Sequence, residues 1–203
     1  MKLAEEKTIP NMAQAVEACI GLNRNDTRAT VLRICGENFP YDEYCEIVNE
    51  MIRESIQKNG MPMKAGVFEL LDYLKANAYR IAIASSSRYQ TVEHHLEKAG
   101  IRQYFETITA GDMVEHSKPQ PDIYLMACRS LGVQPSEAYA IEDSPNGIHS
   151  AFTAGMKVIM VPDMIPSNEE IRKKICKECS SLVEVISYLG EEQRGNYDTD
   201  SDL

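Results

Sequence analysis

The sequence is poor in positive charge. Its 203 residues carry 21 lysines and arginines against 31 aspartates and glutamates, a formal net charge of −10 at pH 7. Nucleic acids and anionic membranes are held by cationic surfaces, so neither is expected as a partner, and an anionic small substrate needs cations placed locally against the overall field. No run of about 18 apolar residues occurs anywhere, as a membrane-spanning helix needs. The opening MKLAEEKTIP is charged and has no apolar leader segment. The expected setting is soluble and cytoplasmic, the chain a monomer or weak homo-oligomer. Metal-site spacing is missing too. Of the six cysteines only Cys176 and Cys179 form a C-x-x-C, and no second Cys or His pair and no preceding strand completes a zinc or redox unit. That pair reads as two thiols one helical turn apart, and Cys19, Cys35, Cys45 and Cys128 as small core residues.

What remains is ordinary globular composition, 43% hydrophobic and 26% charged, enough for one large domain or a core with a small insert. Residues 1–62 carry helical periodicity and no strand signal: apolar positions recur at Met12, Val16, Cys19 and Ile20, over Thr27–Ile34, and at Ile47, Val48, Met51, Ile52 and Ile56. From residue 63 to about 190 the texture alternates. Short apolar runs, IAIA, ETITAGD, AYAIEDS and KVIMVPD, separate helical stretches at Val67–Asn77, Tyr89–Ala99, Asp122–Leu131, Gly147–Ala154, Asn168–Ile175 and Ser181–Leu189. Nearly all-apolar strands alternating with helices predict an α/β doubly wound parallel sheet covered on both faces. Residues 191–203 are acidic and short of apolar groups, and are expected to be disordered.

In such a sheet, ligands gather beyond the carboxyl ends of the strands. Three of those ends carry chemistry here: Ser85-Ser86-Ser87, Gly111-Asp112 followed by Lys118 between Ser117 and Pro119, and the adjacent acids Glu142 and Asp143. Two neighbouring carboxylates at the end of an apolar run repel each other, and burying either one unpaired is costly. A cation relieves both problems. Mg²⁺ prefers carboxylates, waters and phosphate oxygens, Lys118 adds positive charge, and Ser85 offers a hydroxyl donor to a phosphoryl group. Singly, each motif has a plainer reading: SSSR as a helix N-cap, SKPQPD as a stiff loop, EDSPNG as an exposed turn. Their order along strand ends favours the chemical one.

These residues bring a family into view. IAIASSSR, SKPQPDIY and IEDSPNGIHSAFTAGM resemble the haloacid dehalogenase superfamily, in particular its helical-cap branch of β-phosphoglucomutases and small sugar-phosphate phosphatases, over nearly the whole chain to about Leu189. The resemblance implies a Rossmann-like core with a helical cap at residues 1–62, acting on a small phosphorylated metabolite with Mg²⁺. It implies that Ser85 binds the transferring phosphoryl group with Ser86 beside it, that Lys118 neutralises it, and that Asp143, helped by Glu142, holds the metal. IGLNRNDTR resembles the cap's specificity loop, so Arg24, with Lys64 near the cap–core link, is expected to meet a distal phosphate. The family's opening strand ending in Asp-x-Asp-Gly, whose first Asp attacks phosphorus, has no counterpart; the Asp-x-Asp in YDTDSDL follows no apolar strand. The core is therefore expected to lack its first strand, between those bearing the hydroxyls and the paired acids. The chain is expected to be truncated by about 20 residues and inactive as it stands. The activity implied is sugar-phosphate hydrolysis; the alternatives are a phosphoglucomutase and a non-catalytic phosphate-binding pseudoenzyme.

Overall fold

The computed structural model describes residues 9–199. Three helices come first: α1 (Met12–Cys19), α2 (Arg24–Cys35) and α3 (Tyr41–Asn59). They close around a small apolar cluster of their own, Met12, Ala15, Val31 and Tyr41. The Asn23 side chain caps α2 by accepting from the Asp26 amide, and Gly36 and Gly60 end α2 and α3.

Strands and helices then alternate: α4 (Val67–Ala76), β1 (Ala82–Ser85), α5 (Tyr89–Lys98), β2 (Thr107–Ala110), α6 (Asp122–Leu131), β3 (Tyr139–Glu142), α7 (Pro145–Thr153), β4 (Lys157–Met160), α8 (Glu169–Arg172), β5 (Lys177–Glu178) and α9 (Leu182–Thr199). All pairing is parallel, Ala82 opposite Thr107, Tyr139 opposite Lys157 and Ile159 opposite Lys177. Helices cover both faces. On one, Leu70 and Leu74 of α4 meet Val185 and Leu189 of α9 over Ile159; on the other, Ile123 and Tyr124 of α6 meet Ile148 and Ala151 of α7 over Val158 and Met160. This is the doubly wound α/β architecture. Among the described residues no helix is long and apolar enough to cross a membrane.

The sheet is divided. Among the described residues β1 pairs only with β2, and β3 stands at the edge of a separate set, β3-β4-β5. No strand among the described residues lies between β1 and β3. The effect is visible in burial: Ile159 of β4 is fully buried, whereas Ile141 of β3 is 36% exposed and all four residues of β1 are only partly covered.

Two readings need correcting. Cys176 and Cys179 are not one helical turn apart; they flank the extended β5. The Cys176 thiol donates to the Val158 carbonyl, whose strand also accepts from the Cys176 and Cys179 amides, so pairing with β4 overrides the helical spacing. The acidic segment after Leu189 continues α9 to Thr199 instead of being disordered. Its polar side chains are used: Glu192 accepts from the Tyr139 hydroxyl and Gln193 donates to that of Tyr79. The last four residues of the expected tail lie outside the described residues.

Candidate functional site

The carboxyl ends of β1 and β3 open into one cavity of about 590 Å³, walled by Ser85, Ser86 and Ser87, by Lys118, and by Glu142, Asp143 and Ser144, with Ile20, Gly21 and Leu22 of the helical unit as its roof. Lys118 joins the two strand ends. Its Nζ lies 2.5 Å from Glu142 Oε1 and donates to the Ala84 carbonyl at 3.4 Å. It also stands 5.0 Å from the centre of the Tyr124 ring.

The paired acids are not equivalent. The Glu142 side chain is 8% exposed. One of its oxygens accepts from Lys118 and the Tyr124 hydroxyl, the other from the Asp143 and Ser144 amides and the Ser144 hydroxyl. Burial alone would push its carboxyl up, but the Lys118 charge and these donors hold it below the usual carboxylate range. Asp143 is the reverse case. It stands at the open rim, yet partial loss of hydration, and then the Glu142 charge, raise its carboxyl, with Lys64 opposing weakly. The Tyr124 hydroxyl, buried and facing Glu142, is pushed well above its ordinary range and stays protonated as a donor.

Close backbone approach builds this mouth. A Cβ on Gly147 would lie 2.1 Å from the Glu142 carboxyl, and one on Gly111 2.2 Å from the Ser86 carbonyl oxygen. Only glycine admits these contacts. Ser144 caps α7, its hydroxyl accepting from the Gly147 amide, so EDSPNG is a capped strand-to-helix turn. SSSR is not a side-chain N-cap: α5 begins after Arg88 without one, and the Tyr89 amide is met by Asp112.

Ser85, Ser86, Lys118, Glu142 and Asp143 therefore converge. The Ser85 hydroxyl accepts from the Ser87 amide, and Ser86 donates to the Gly21 carbonyl at 2.6 Å, tying the helical unit to the core. Lys64 lies behind the rim, donating to the Val161 carbonyl, 3.7 Å from Asp163. Arg24, exposed at the start of α2, does not line the cavity. Three contributors were not singled out from sequence. Tyr124 reads there as a core aromatic on α6. Asn146 donates to the Ile20 carbonyl at 2.8 Å. His95 lines the cavity, its imidazole pushed down by burial and then by His94 and Lys98.

Among the described residues no group of three His, Cys, Asp or Glu side chains converges as a metal centre. The donor set in hand is narrower but fits a hard cation: Asp143 has a carboxylate whose charge is disfavoured and which a divalent ion would relieve.

Comparison with known proteins agrees with this frame. Residues 1–161 match the family model described as haloacid dehalogenase-like hydrolase. The Bacillus subtilis protein YhcW is 41% identical over 122 residues, covering 59% of this chain and 56% of that protein. Hexitol phosphatase B of Escherichia coli is 30% identical over 144 residues, 70% of this chain and 65% of that one. The chain thus spans a little over half the length of YhcW and just under two thirds of hexitol phosphatase B. A crystal structure of β-phosphoglucomutase from Clostridium difficile superposes with a TM-score of 0.74 at 24% identity, over 98% of this chain and 88% of that one, a likeness of fold.

Proposed function

The chain belongs to the haloacid dehalogenase-like hydrolase family, and from that premise we propose that its mouth binds the phosphoryl group of a small sugar phosphate in a magnesium-dependent phosphatase reaction. The observation that carries the reading is the convergence of Ser85, Lys118 and Asp143 on one cavity beneath the helical unit. The Ser85 hydroxyl donates to a phosphoryl oxygen. Lys118, held by Glu142, offsets negative charge on the group as it moves. Asp143 is the carboxylate for the metal; Glu142 is committed to Lys118 and Tyr124, and acts from behind by fixing the lysine. Mg²⁺ supplies charge neutralisation across the phosphoryl oxygens when bound. The helical unit acts as a cap, latched through Ser86 and Asn146, and shelters the reacting group from bulk solvent.

Phosphatase is preferred to mutase because Arg24, the candidate for holding a second phosphate, stands outside the cavity. The phosphatase relative above is named for hexitol phosphates, which supports a phosphorylated sugar as the substrate class. In this reading the described mouth residues are assigned to binding and none to the attack on phosphorus, so the chain as given is expected to bind without turning over. The test is ³¹P NMR of the chain with Mg²⁺ and inorganic phosphate, then with β-glucose 1-phosphate and fructose 1-phosphate. Expected are Mg²⁺-dependent broadening of the phosphate line, weakened in Asp143→Asn, and intact sugar phosphates. An unbroadened line with folded protein overturns the binding site; released phosphate overturns the account of a missing nucleophile.

A further inference from the structure

We propose that Lys64 is a built-in counter-cation of the mouth, which a divalent ion must push aside to reach Asp143, and that it thereby ties occupancy of that site to the linker between the helical unit and the core. The inference rests on the reading of Asp143 as the carboxylate for the metal.

The linker is short and sharply bounded. Residues 60–66 run from the end of α3 to the start of α4 without helix or strand. Gly60 and Gly66 bound it with φ of 80° and 86°, a conformation that favours glycine. At Gly66 the chain passes so close to α9 that a Cβ there would lie 2.8 Å from the Val183 side chain. Between these two turns Lys64 reaches to the sheet. Its Nζ donates to the Val161 carbonyl at 3.3 Å and the Pro162 carbonyl at 3.5 Å, just past the end of β4, and stands 3.7 Å from the Asp163 carboxylate.

β4 brings this ammonium level with the mouth. Glu142 lies opposite Met160 in the parallel pair, and the Val161 amide donates to the Glu142 carbonyl. Asp143 is the next residue along, so it and the carbonyl that holds Lys64 follow the same rung on neighbouring strands. Lys118 does not serve Asp143 in this way, because it is bonded to Glu142 and to the Ala84 carbonyl. Glu142 and Asp163 both act on Asp143 as like charges, and Lys64 is the cation set against them. The two lysines also differ in how easily they move. Lys118 is 6% exposed, whereas Lys64 is 35% exposed, held by neutral carbonyls and one solvated acid. It can swing into water without leaving a charge buried.

A divalent ion at Asp143 repels a neighbouring ammonium. One unit charge several ångströms away near a protein surface changes the ion's affinity by about three- to tenfold. The coupling is reciprocal: what Lys64 takes from the ion's affinity, the ion takes from the hold of Lys64 on β4.

The test is a Mn²⁺ titration of the whole chain, of Lys64→Met and of Lys64→Arg, with free Mn²⁺ read by electron paramagnetic resonance. Expected is binding about three- to tenfold tighter in Lys64→Met and parent-like in Lys64→Arg. A lysine that only braced the linker would, on removal, leave the affinity unchanged or weaken it. Either of those results overturns this inference and leaves the cation site standing. Binding seen only in Lys64→Met supports it, and binding in none of the three proteins overturns both this inference and the assignment of Asp143. Should Lys64→Met fail to fold, Lys64→Gln, which keeps a donor for the Val161 carbonyl, takes its place. In the unaltered chain, tryptic cleavage after Lys64 is expected to quicken with saturating Mn²⁺, and not in Asp143→Asn; an unchanged or slower cut in the unaltered chain overturns the link to the linker.

Discussion

Replacing Lys118 by methionine keeps most of the side chain's volume and removes its charge from a site where the lysine is 6% exposed and its partner Glu142 8%. The carboxylate is then buried with no cation, beside a second acid at Asp143. Removing one member of a buried ion pair costs about 3–5 kcal/mol, a large share of the roughly 5–15 kcal/mol that holds a domain folded. For an m value of about 2 kcal/mol per molar urea, the midpoint should fall by roughly 2 M. The deficit should also depend on pH. In the parent, the Glu142 carboxyl is held below its ordinary value near 4.5, so its contribution is present above that value and is lost as pH falls through the lower folded one. In Lys118→Met, burial without a cation raises the same carboxyl. Its penalty is absent at low pH and grows as pH rises from the unfolded value through the raised one. The gap between the two proteins should therefore be widest near neutrality, narrow as pH falls to the ordinary value near 4.5, and close only below that, through the parent's lowered folded value. Urea titrations followed by circular dichroism at several pH values measure it. The double variant Lys118→Met/Glu142→Gln, which keeps an acceptor for Tyr124, should recover at least half of the loss. A deficit below about 1 kcal/mol, or one independent of pH, refutes the claim that this pair is buried and charged.

Three further outcomes follow from the same geometry. Gly147→Ala places a methyl 2.1 Å from the Glu142 carboxyl and should cost about 1–3 kcal/mol in urea unfolding, with the Glu142 side chain displaced in a crystal structure of the variant. Tyr124→Phe leaves Glu142 one donor short and should lose about 1–3 kcal/mol at neutral pH, measured by thermal or urea unfolding. Ser86→Ala removes the hydroxyl that ties Gly21 to the core, so residues 19–22 should be cut faster in limited proteolysis while the core's unfolding midpoint stays nearly unchanged.

Much of the architecture was legible because the strands are short apolar runs closed by small or polar residues. The patterning of a run such as ETITA needs no partner to be recognised, and the helix at Asp122–Leu131 has the expected bounds. Lys177–Glu178 was not legible. A polar pair between two cysteines has no apolar alternation, and it becomes a strand only because β4 offers it an edge. The extension of α9 escaped notice for a similar reason: Glu192 and Gln193 are anchored by tyrosines distant in sequence. At the mouth, strand-end logic brought Ser85, Lys118, Glu142 and Asp143 together, since each follows or faces the end of a run. It gave no means of telling the two acids apart. Their difference arises from Tyr124, which sits mid-helix on α6 and carries no local signal of what its hydroxyl will meet. Arg24 came from the resemblance of IGLNRNDTR to the family's specificity loop, and at the start of α2 it stands outside the cavity.

The divided sheet sets an order of opening. Each half holds its own strands, and the two are stitched by α4, which offers Leu71 to the β2 side and Leu70 and Leu74 to the β4 side, and by α6, which packs on β1 and on α7. Amides of β4, central in its half, should be among the slowest to exchange with deuterium. Those on the bare edges of β1 and β3 should exchange from the native state without global unfolding. The molecule is thus expected to open as two cooperative blocks on a pair of shared helical splints. Local excursions begin at the seam, and the seam runs straight into the mouth where Lys118 holds its two sides together.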